Sequence, residues 1–330
     1  MPDLALVVIV IVIALVFDFI NGFHDAANSI ATVVATNVLK PRNAVFLAAF
    51  WNFFGAFVFS VAVAATIGKG IINPSAVNIY VILAALLGAI AWNLITWYYG
   101  IPSSSSHALI GGLIGSGFVS SGLGSIIFSG VNKILIFIFV APIVGFLGAT
   151  IFSIMMLWIF KNRRPVQIEW LFKKLQIASS SLYSLGHGTN DAQKTMGIIT
   201  LLLVTSGYLA TFSVPLWVIL ISHASIALGT FFGGWRIVKT MGLKITKLKP
   251  FHGFSAETSG AIVLLGTAHF GIPVSTTHVI SGSIMGVGAV RRSSGVRWQI
   301  ARRMVIAWLL TIPVSAIIAG LSYLAINMLL

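Results

Sequence analysis

The sequence GIPSSSSHALIGGLIGSG at residues 100–117 recurs in similar form as GIPVSTTHVISGSIMGVG at residues 271–288. Eight of the eighteen positions are identical when the two stretches are aligned without gaps. A second pair precedes them, since NGFHDAANS at residues 21–29 matches HGTNDAQKT at residues 187–195. The same two motifs therefore occur in the same order in each half. Such a duplication of polar sequence within apolar surroundings is typical of a membrane transporter built from two repeats around one site.

The composition indicates a membrane protein. Hydrophobic residues make up 58% of the chain and charged residues only 8%, against about 25% charged in soluble domains. Apolar runs at residues 4–17, 44–65, 79–92, 134–160 and 304–330 are long enough, or nearly so, to cross about 30 Å of hydrocarbon as helices. With no cysteine, the chain has neither disulfides nor thiolate metal sites. The sequence therefore predicts an all-α polytopic protein of the cell (plasma) membrane.

The net charge of +14 is distributed as in membrane proteins rather than nucleic-acid-binding proteins. Fifteen of the twenty basic residues fall within residues 161–174, 236–249 and 291–303. Each cluster lies between apolar runs, as the positive-inside rule predicts for cytoplasmic loops beside anionic lipid. The expected partner of these clusters is the lipid bilayer, and no nucleic-acid partner is expected.

The same clusters predict an inverted topology. If the basic loops are cytoplasmic, both termini lie outside, and the two halves begin on opposite faces of the membrane. Residues 1–160 then form the first repeat, residues 161–174 a short basic linker, and residues 175–330 the second repeat. Each repeat contains one Ser/Thr-rich helical hairpin. Whether these hairpins are re-entrant or cross fully stays open at this point.

The motif helices are expected to be discontinuous. Residues 4–39 are too many for a single straight crossing at about 1.5 Å per residue. We therefore predict a break near Asn21 and Gly22 in the first half, and a similar one at residues 186–188 in the second half.

The acidic residues point to a cation or proton site. Only six exist, and four of them, Asp18, Asp25, Asp191 and Glu257, lie in or beside apolar segments, where an unpaired charge is costly. Asp25 and Asp191 hold matching positions in the duplicated motifs, which favours an ion site over a purely structural partner. Asp18 has no counterpart in the second half, so its role stays open.

The Ser/His motif suits an anion. A helix that begins after Pro102 or Pro273 directs unpaired N–H groups and a positive dipole end toward its N-terminus. Hydroxyl groups add neutral donors from Ser103, Ser104, Ser105, Ser106, Ser275, Thr276 and Thr277. The alternative is that one hydroxyl in each hairpin merely caps a helix. The matching His107 and His278 could donate to the anion, relay a proton or fill a packed polar position.

The two halves differ at one position of the Asp motif. Lys194 stands where the first half has Asn28, three residues beyond Asp191 and on the same helical face. Its ammonium is expected to neutralise Asp191 or Glu257. A bolder hypothesis is that the ammonium replaces a second coupling cation.

The stretches NGFHDAANSIAT, HGTNDAQKTMG, GIPSSSSH and GIPVSTTH together resemble the paired signatures of the inorganic phosphate transporter (PiT) family, most of all its bacterial low-affinity Pit-type carriers. The resemblance implies a homodimeric secondary transporter that moves phosphate with protons or sodium and needs no other cofactor. It places phosphate at both sets of hydroxyls with Asn28 and Asn190. It assigns the coupling ion to Asp25, Asp191, Glu257, Asn52 and Lys194, with any sodium at the three acids.

One departure favours protons as the coupling ion. Animal members of the family, which use sodium, have a glutamate where this chain has Asn52. Three alternatives stay open from the residues alone: a permease for sulfate or another tetrahedral oxyanion, a passive anion channel, and an intramembrane Ser/His hydrolase. Phosphate is preferred over sulfate because its P–OH group can donate to a carboxylate, whereas sulfate offers no proton. Free phosphate and a metal–phosphate complex are not distinguished.

Overall fold

The computed structural model describes residues 2–58, 61–290 and 292–329, and within these it is helical with no strand. This confirms the predicted all-α class. The helices are α1 (Leu4–Ala35), α2 (Pro41–Phe54), α3 (Ala62–Gly70), α4 (Ile79–Tyr99), α5 (Ser105–Ser121), α6 (Phe128–Ile159), α7 (Pro165–Thr205), α8 (Leu216–Phe232), α9 (Trp235–Lys239), α10 (Pro250–His269), α11 (Thr276–Ala289) and α12 (Trp298–Leu329).

Several helices suit a membrane span. In the described part of the chain, α1, α4, α6 and α12 are each long and apolar enough to cross a bilayer. A further bent span arises if α8 is counted with the short helical turns after it, which lie at 60° to it. Large apolar side chains are exposed on α6, with Phe139 at 56% and Ile151 at 65%. A lipid-facing surface explains that exposure, because such groups would be unfavourable in water.

The duplicated GIP sequence builds two helical hairpins. Gly100 and Gly271 adopt φ of 63° and 64°, a left-handed conformation that suits glycine. Gly100 directly follows the end of α4, and Gly271 follows Phe270 at the end of α10. The proline two residues after each glycine, Pro102 or Pro273, cannot continue the preceding helix. Ser104 and Ser275 then accept hydrogen bonds from the amides of His107 and His278 and begin α5 and α11.

The predicted helix breaks are wrong. Helix α1 continues through Asn21 and Gly22, and α7 continues through residues 186–188. A Cβ on Gly22 would overlap the carbonyl oxygen of Ile226, and a Cβ on Gly188 would overlap the backbone of Asn52. These glycines therefore allow close packing against α8 and α2 rather than interrupting their own helices. The 32 residues of α1 span about 48 Å, which exceeds the hydrocarbon thickness.

Much of the predicted linker is helical. Helix α6 ends at Ile159 and α7 begins at Pro165, so most of residues 161–174 belong to the first turns of α7. On those turns, Lys173 lies 2.9 Å from Glu169, and both side chains are exposed. The hydrogen bond from Lys173, together with its charge, holds the pKa of Glu169 below its usual value.

The hairpins pack through glycines. Helix α5 lies along α12, and α11 lies along α6. A Cβ on Gly115 would overlap the backbone of Ala316, and one on Gly282 would overlap the backbone of Pro142. The small residues at intervals of four thus bring these helices together. Between the hairpins, α1 contacts α7, α8 and α4. The helices of the two Asp motifs therefore cross the interior.

Candidate functional site

One face of the second half of α1 is polar. Polar residues recur there every three or four positions, which places them on one side of the helix. These residues are all buried: Asp18, Asn21, Asp25, Asn28 and Thr32 in α1, and Thr36 directly after its end. Buried polar side chains of α7 include Gln176, Ser179, His187, Asp191 and Lys194. The contact between α1 and α7 therefore brings buried polar side chains of both helices together in an otherwise apolar protein.

Asp25 lies at the centre of this contact. Its Oδ1 is 2.6 Å from Nδ1 of His24 and 3.5 Å from the hydroxyl of Thr277, at the N-terminus of α11. The other ring nitrogen of His24 lies 3.1 Å from the hydroxyl of Thr96 and 3.4 Å from that of Ser103. The first carboxylate is thus linked to both hairpins.

Asn28 joins α1 to the second hairpin. Its amide nitrogen donates to the hydroxyls of Thr276 at 3.2 Å and Thr277 at 2.9 Å. Its amide oxygen has no hydrogen-bond partner among the residues that the structure describes. One acceptor of Asn28 is therefore free for a ligand that donates a proton.

The ammonium of Lys194 has three acceptors around it. It lies 2.5 Å from Oδ1 of Asp191, contacts the hydroxyl of Ser106, and lies 3.2 Å from the carbonyl oxygen of Val274. The three acceptors match the three N–H donors of a lysine. Asp191, and not Glu257, is thus the carboxylate that Lys194 neutralises.

Equivalent positions of the two motifs make equivalent contacts. Thr277 contacts Asn28, and Ser106, at the matching position of the first hairpin, contacts Lys194, at the matching position of α7. The rings of His107 and His278 lie 4.9 Å apart. Both hairpins therefore meet at the same place, beside the motifs of α1 and α7.

The predicted hydroxyls differ in their partners. Ser103 donates to Thr96 at 2.9 Å, and Ser104 caps α5 through the amide of His107. The hydroxyl of Ser105 is buried and has no hydrogen-bond partner in residues 2–58, 61–290 and 292–329, and the same is true of the side-chain amide of Asn190. Capping by Ser104, and by Ser275 in the second hairpin, accounts for one hydroxyl of each run. The capping alternative is therefore correct for these two serines only.

The electrostatics of this centre suit an oxyanion that carries a proton. The first turns of α5 and α11 present N–H groups and positive dipole ends, as expected for an anion. Lys194 adds a full positive charge, while Asp25 and Asp191 are acceptors for a hydroxyl proton. Every one of these side chains is 3% exposed or less. Low exposure strengthens such interactions because water does not screen them.

Two predicted coupling residues lie outside this centre. Glu257 accepts hydrogen bonds from Thr32 at 2.5 Å, Gln176 at 3.0 Å and Ser179 at 2.5 Å. It thereby connects α10 with α1 and α7. Asn52 donates to Thr230 at 2.8 Å and lies 3.2 Å from Nδ1 of His187. The side chain of His187 thus lies between Asn52 and Asp191.

The two histidines of the hairpins pack against aromatic groups. The ring of His278 stacks on Trp308 at 4.1 Å, and Trp308 donates to the carbonyl oxygen of Pro102 at 2.9 Å. In the described part of the chain, neither ring nitrogen of His278 makes a hydrogen bond of normal geometry. These contacts support the packed polar position among the interpretations of this histidine.

Several residues of the centre were not among the predicted ones. His24 and His187 both lie inside the duplicated motifs, one residue before Asp25 and one helical turn before Asp191. Ligand atoms of Asp25, His187 and Asp191 lie within 4.8 Å of one another, an arrangement that suits a metal cation. The spacing of His187 from Asp191 was a usable signal. In contrast, nothing in the local sequence singled out Thr96, Gln176 or Ser179.

Comparison with known proteins agrees with this geometry. The chain is 55% identical to the "Probable low-affinity inorganic phosphate transporter" of Rhizobium meliloti (strain 1021), over 98% of this chain and 97% of that protein. It is 48% identical to the protein of the same name from Bacillus subtilis (strain 168), over 98% of both. A solved structure, "The sodium-dependent phosphate transporter", superposes with a TM-score of 0.89 at 27% identity, covering 99% of this chain and all of that one.

The family model described as "Phosphate transporter family" matches residues 21–170 and 160–319, which is most of the chain. The family and the relatives are transporters, so the hydrolase alternative is excluded. The motifs, the buried centre with features that suit a bound anion, and these matches agree. The chain therefore belongs to the phosphate transporter family.

Proposed function

We propose that this protein is a secondary active transporter that carries inorganic phosphate across the cell membrane by alternating access, together with protons. The observation that supports this most is the meeting of two helix N-termini, at Ser105 and Thr276, beside the buried Asp25 and Asp191. Helix N-termini and hydroxyls bind the phosphate oxygens, and a carboxylate accepts the P–OH proton.

Phosphate is the substrate class that the names of the relatives support. Both bacterial relatives are called inorganic phosphate transporters. A sulfate permease stays the second candidate for the substrate. The free acceptor oxygen of Asn28 and the acceptor oxygens of Asp25 favour a protonated oxyanion over sulfate.

Protons are favoured as the coupling ion by two side chains. The ammonium of Lys194 already occupies the place beside Asp191 where a second cation would bind. Asn52 is neutral, and Thr230 and His187 are its partners. Together they reduce the negative charge available to several bound sodium ions.

Sodium is the second candidate, at a single site. The cluster of Asp25, His187 and Asp191 has suitable dimensions, and the solved neighbour is called sodium-dependent. Glu257 is less suitable for sodium than the resemblance implied. Its oxygens accept three hydrogen bonds from Thr32, Gln176 and Ser179, and a cation there would repel those donor hydrogens.

Alternating access would use two repeats of opposite orientation, with both termini outside and the basic loops cytoplasmic. Two observations support the repeats 1–160 and 175–330. One family model matches both halves, and Thr277–Asn28 and Ser106–Lys194 are equivalent contacts. Rocking of one hairpin against the other would open the centre to each side in turn. The homodimer implied by the resemblance stays a prediction.

The test is uptake of labelled phosphate into liposomes that contain the purified protein. Proton and sodium gradients are imposed separately, each with the membrane potential clamped. We expect accumulation under an inward proton gradient, and counterflow of labelled against unlabelled phosphate without any gradient. A repeat with a chelator of divalent cations distinguishes free phosphate from a metal–phosphate complex.

Two results would contradict the proposal. Accumulation of phosphate only under the sodium gradient would show that the coupling ion is sodium and not the proton. Flux that never concentrates phosphate under either gradient would indicate a passive anion channel.

A further inference from the structure

Asp18 is a buried carboxyl group that the site described above does not use. It lies in α1, two helical turns before Asp25 and on the same polar face. Its exposure is 0%, and neither of its oxygens has a hydrogen-bond partner in the described residues. A polar group buried in this way is uncommon and needs a physical explanation.

Among the described residues, the polar side chains close enough to interact with Asp18 are Thr195 and Asn21, and the charges that act on it are those of Asp191 and Lys194, both on α7. None of these side chains makes a hydrogen bond of normal geometry with Asp18. Asp18 thus lies beside the ion pair of the centre without belonging to it.

Lys194 does not balance Asp18 in this conformation. The three donors of its ammonium are used by Asp191, Ser106 and the carbonyl oxygen of Val274. An isolated carboxylate in an apolar interior costs far more than a neutral carboxylic acid, so the group takes up a proton. Without a paired cation or a hydrogen bond of normal geometry, the full burial of Asp18 therefore indicates that it carries a proton here.

A sodium ion would explain the geometry less well. Sodium sites in transporters use backbone carbonyls that unwound helices set free. Helices α1 and α7 are continuous on both sides of Asp18 and Thr195, so their backbone carbonyls stay within the helices. Only a few side-chain oxygens remain as ligands for a sodium ion, whereas a proton needs a single carboxylate oxygen.

We propose that Asp18 is the carboxyl group that carries the coupled proton. The inference rests on the proposed proton-coupled phosphate transport. Asp18 binds a proton from water on the outer side when phosphate enters, and it releases that proton to water on the inner side. The empty carrier then returns with an ionised Asp18, and the nearby ammonium of Lys194 stabilises that charge while it stays paired with Asp191.

The experiment compares D18N, which imitates the protonated acid, with D18E, which keeps a titratable carboxyl group. Each variant and the wild type are reconstituted in liposomes that enclose a pH-sensitive dye. In D18N we expect labelled phosphate to exchange by counterflow, while accumulation driven by a proton gradient and the phosphate-dependent acidification of the lumen are both lost. In D18E we expect both to return.

The outcomes separate this inference from the proposed function. If the wild type acidifies the lumen with phosphate and D18N does so equally, Asp18 is not the proton carrier although the transport proposal stands. If wild-type uptake follows sodium alone, both are wrong.

A spectroscopic measurement covers the case in which D18N does not fold. Infrared difference spectra of the wild type should show the C=O stretch of a protonated carboxylic acid, and this band should shift in D18E. An unshifted band, or its absence at neutral pH, would overturn the assignment.

Discussion

The ammonium of Lys194 lies 2.5 Å from Oδ1 of Asp191, where neither side chain is more than 1% exposed. The matching carboxylate of the first half, Asp25, instead lies 2.6 Å from the imidazole of His24. Two equivalent acids therefore have a permanent cation on one side and a titratable ring on the other. Asp191 is therefore neutralised by an ammonium, whereas Asp25 has no such partner among the described residues.

Replacing Lys194 by the residue of the first half tests this asymmetry. In K194N, Asp191 loses its partner, and removal of one member of a buried pair typically costs about 3–5 kcal/mol. We expect phosphate uptake to fall, and added sodium to restore part of it by binding where the ammonium was. Uptake at a series of sodium concentrations measures this. K194R, which keeps the charge, is the control. If phosphate uptake by K194N does not respond to sodium, the expectation is wrong.

The two neighbouring serines of the first hairpin should separate binding from stability. Ser105 has an unpartnered hydroxyl, so S105A should raise the KM for phosphate and leave the melting temperature unchanged. Ser104 caps α5, so S104A should lower the stability by about 1 kcal/mol. Uptake kinetics and thermal melting in detergent are the measurements. Equal effects of the two variants on KM would show that Ser105 does not contact phosphate.

Asp25 is expected to select phosphate over sulfate. The neutral amide of D25N accepts less strongly from a P–OH group and repels sulfate less than a carboxylate does. Sulfate should therefore compete at least about tenfold better with phosphate uptake, a change of about 1.4 kcal/mol. Competition curves for the two anions measure it. Asp3 provides the control, because D3N keeps a side chain that caps α1. An unchanged ratio in a D25N variant that still transports would count against this role.

The glycines of the motif helices should tolerate no side chain. A Cβ on Gly22 would overlap the backbone of α8, so G22A should destabilise the protein by about 1–3 kcal/mol, or prevent its folding. Gly266 in α10 has no atom within 4 Å of the position of a Cβ. G266A should therefore be neutral or stabilise by up to about 1 kcal/mol. Thermal melting and expression level distinguish the two, and a stable G22A would refute the packing role.

Much of the fold could be predicted from the sequence because membrane helices obey strict local rules. Apolar length, the GIP motifs and the serines after them determined the helical class, the two hairpins and the identity of Asp25 and Asp191 as paired residues. The breaks predicted at Gly22 and Gly188 were wrong because a glycine has two uses. It can end a helix, or it can admit a neighbouring backbone, and local sequence does not distinguish them.

The partners of each charge were decided only by the tertiary structure. Sequence spacing allowed Lys194 to reach either Asp191 or Glu257, and the packing of α10 against α7 instead surrounds Glu257 with Thr32, Gln176 and Ser179. The contacts of Thr277 with Asn28, and of Ser106 with Lys194, join positions 249 and 88 residues apart in the chain. Residue types and their duplication thus determined which chemistry is present. Packing between distant helices determined which groups are neutralised, and it left Asp18 buried without a paired cation among the described residues.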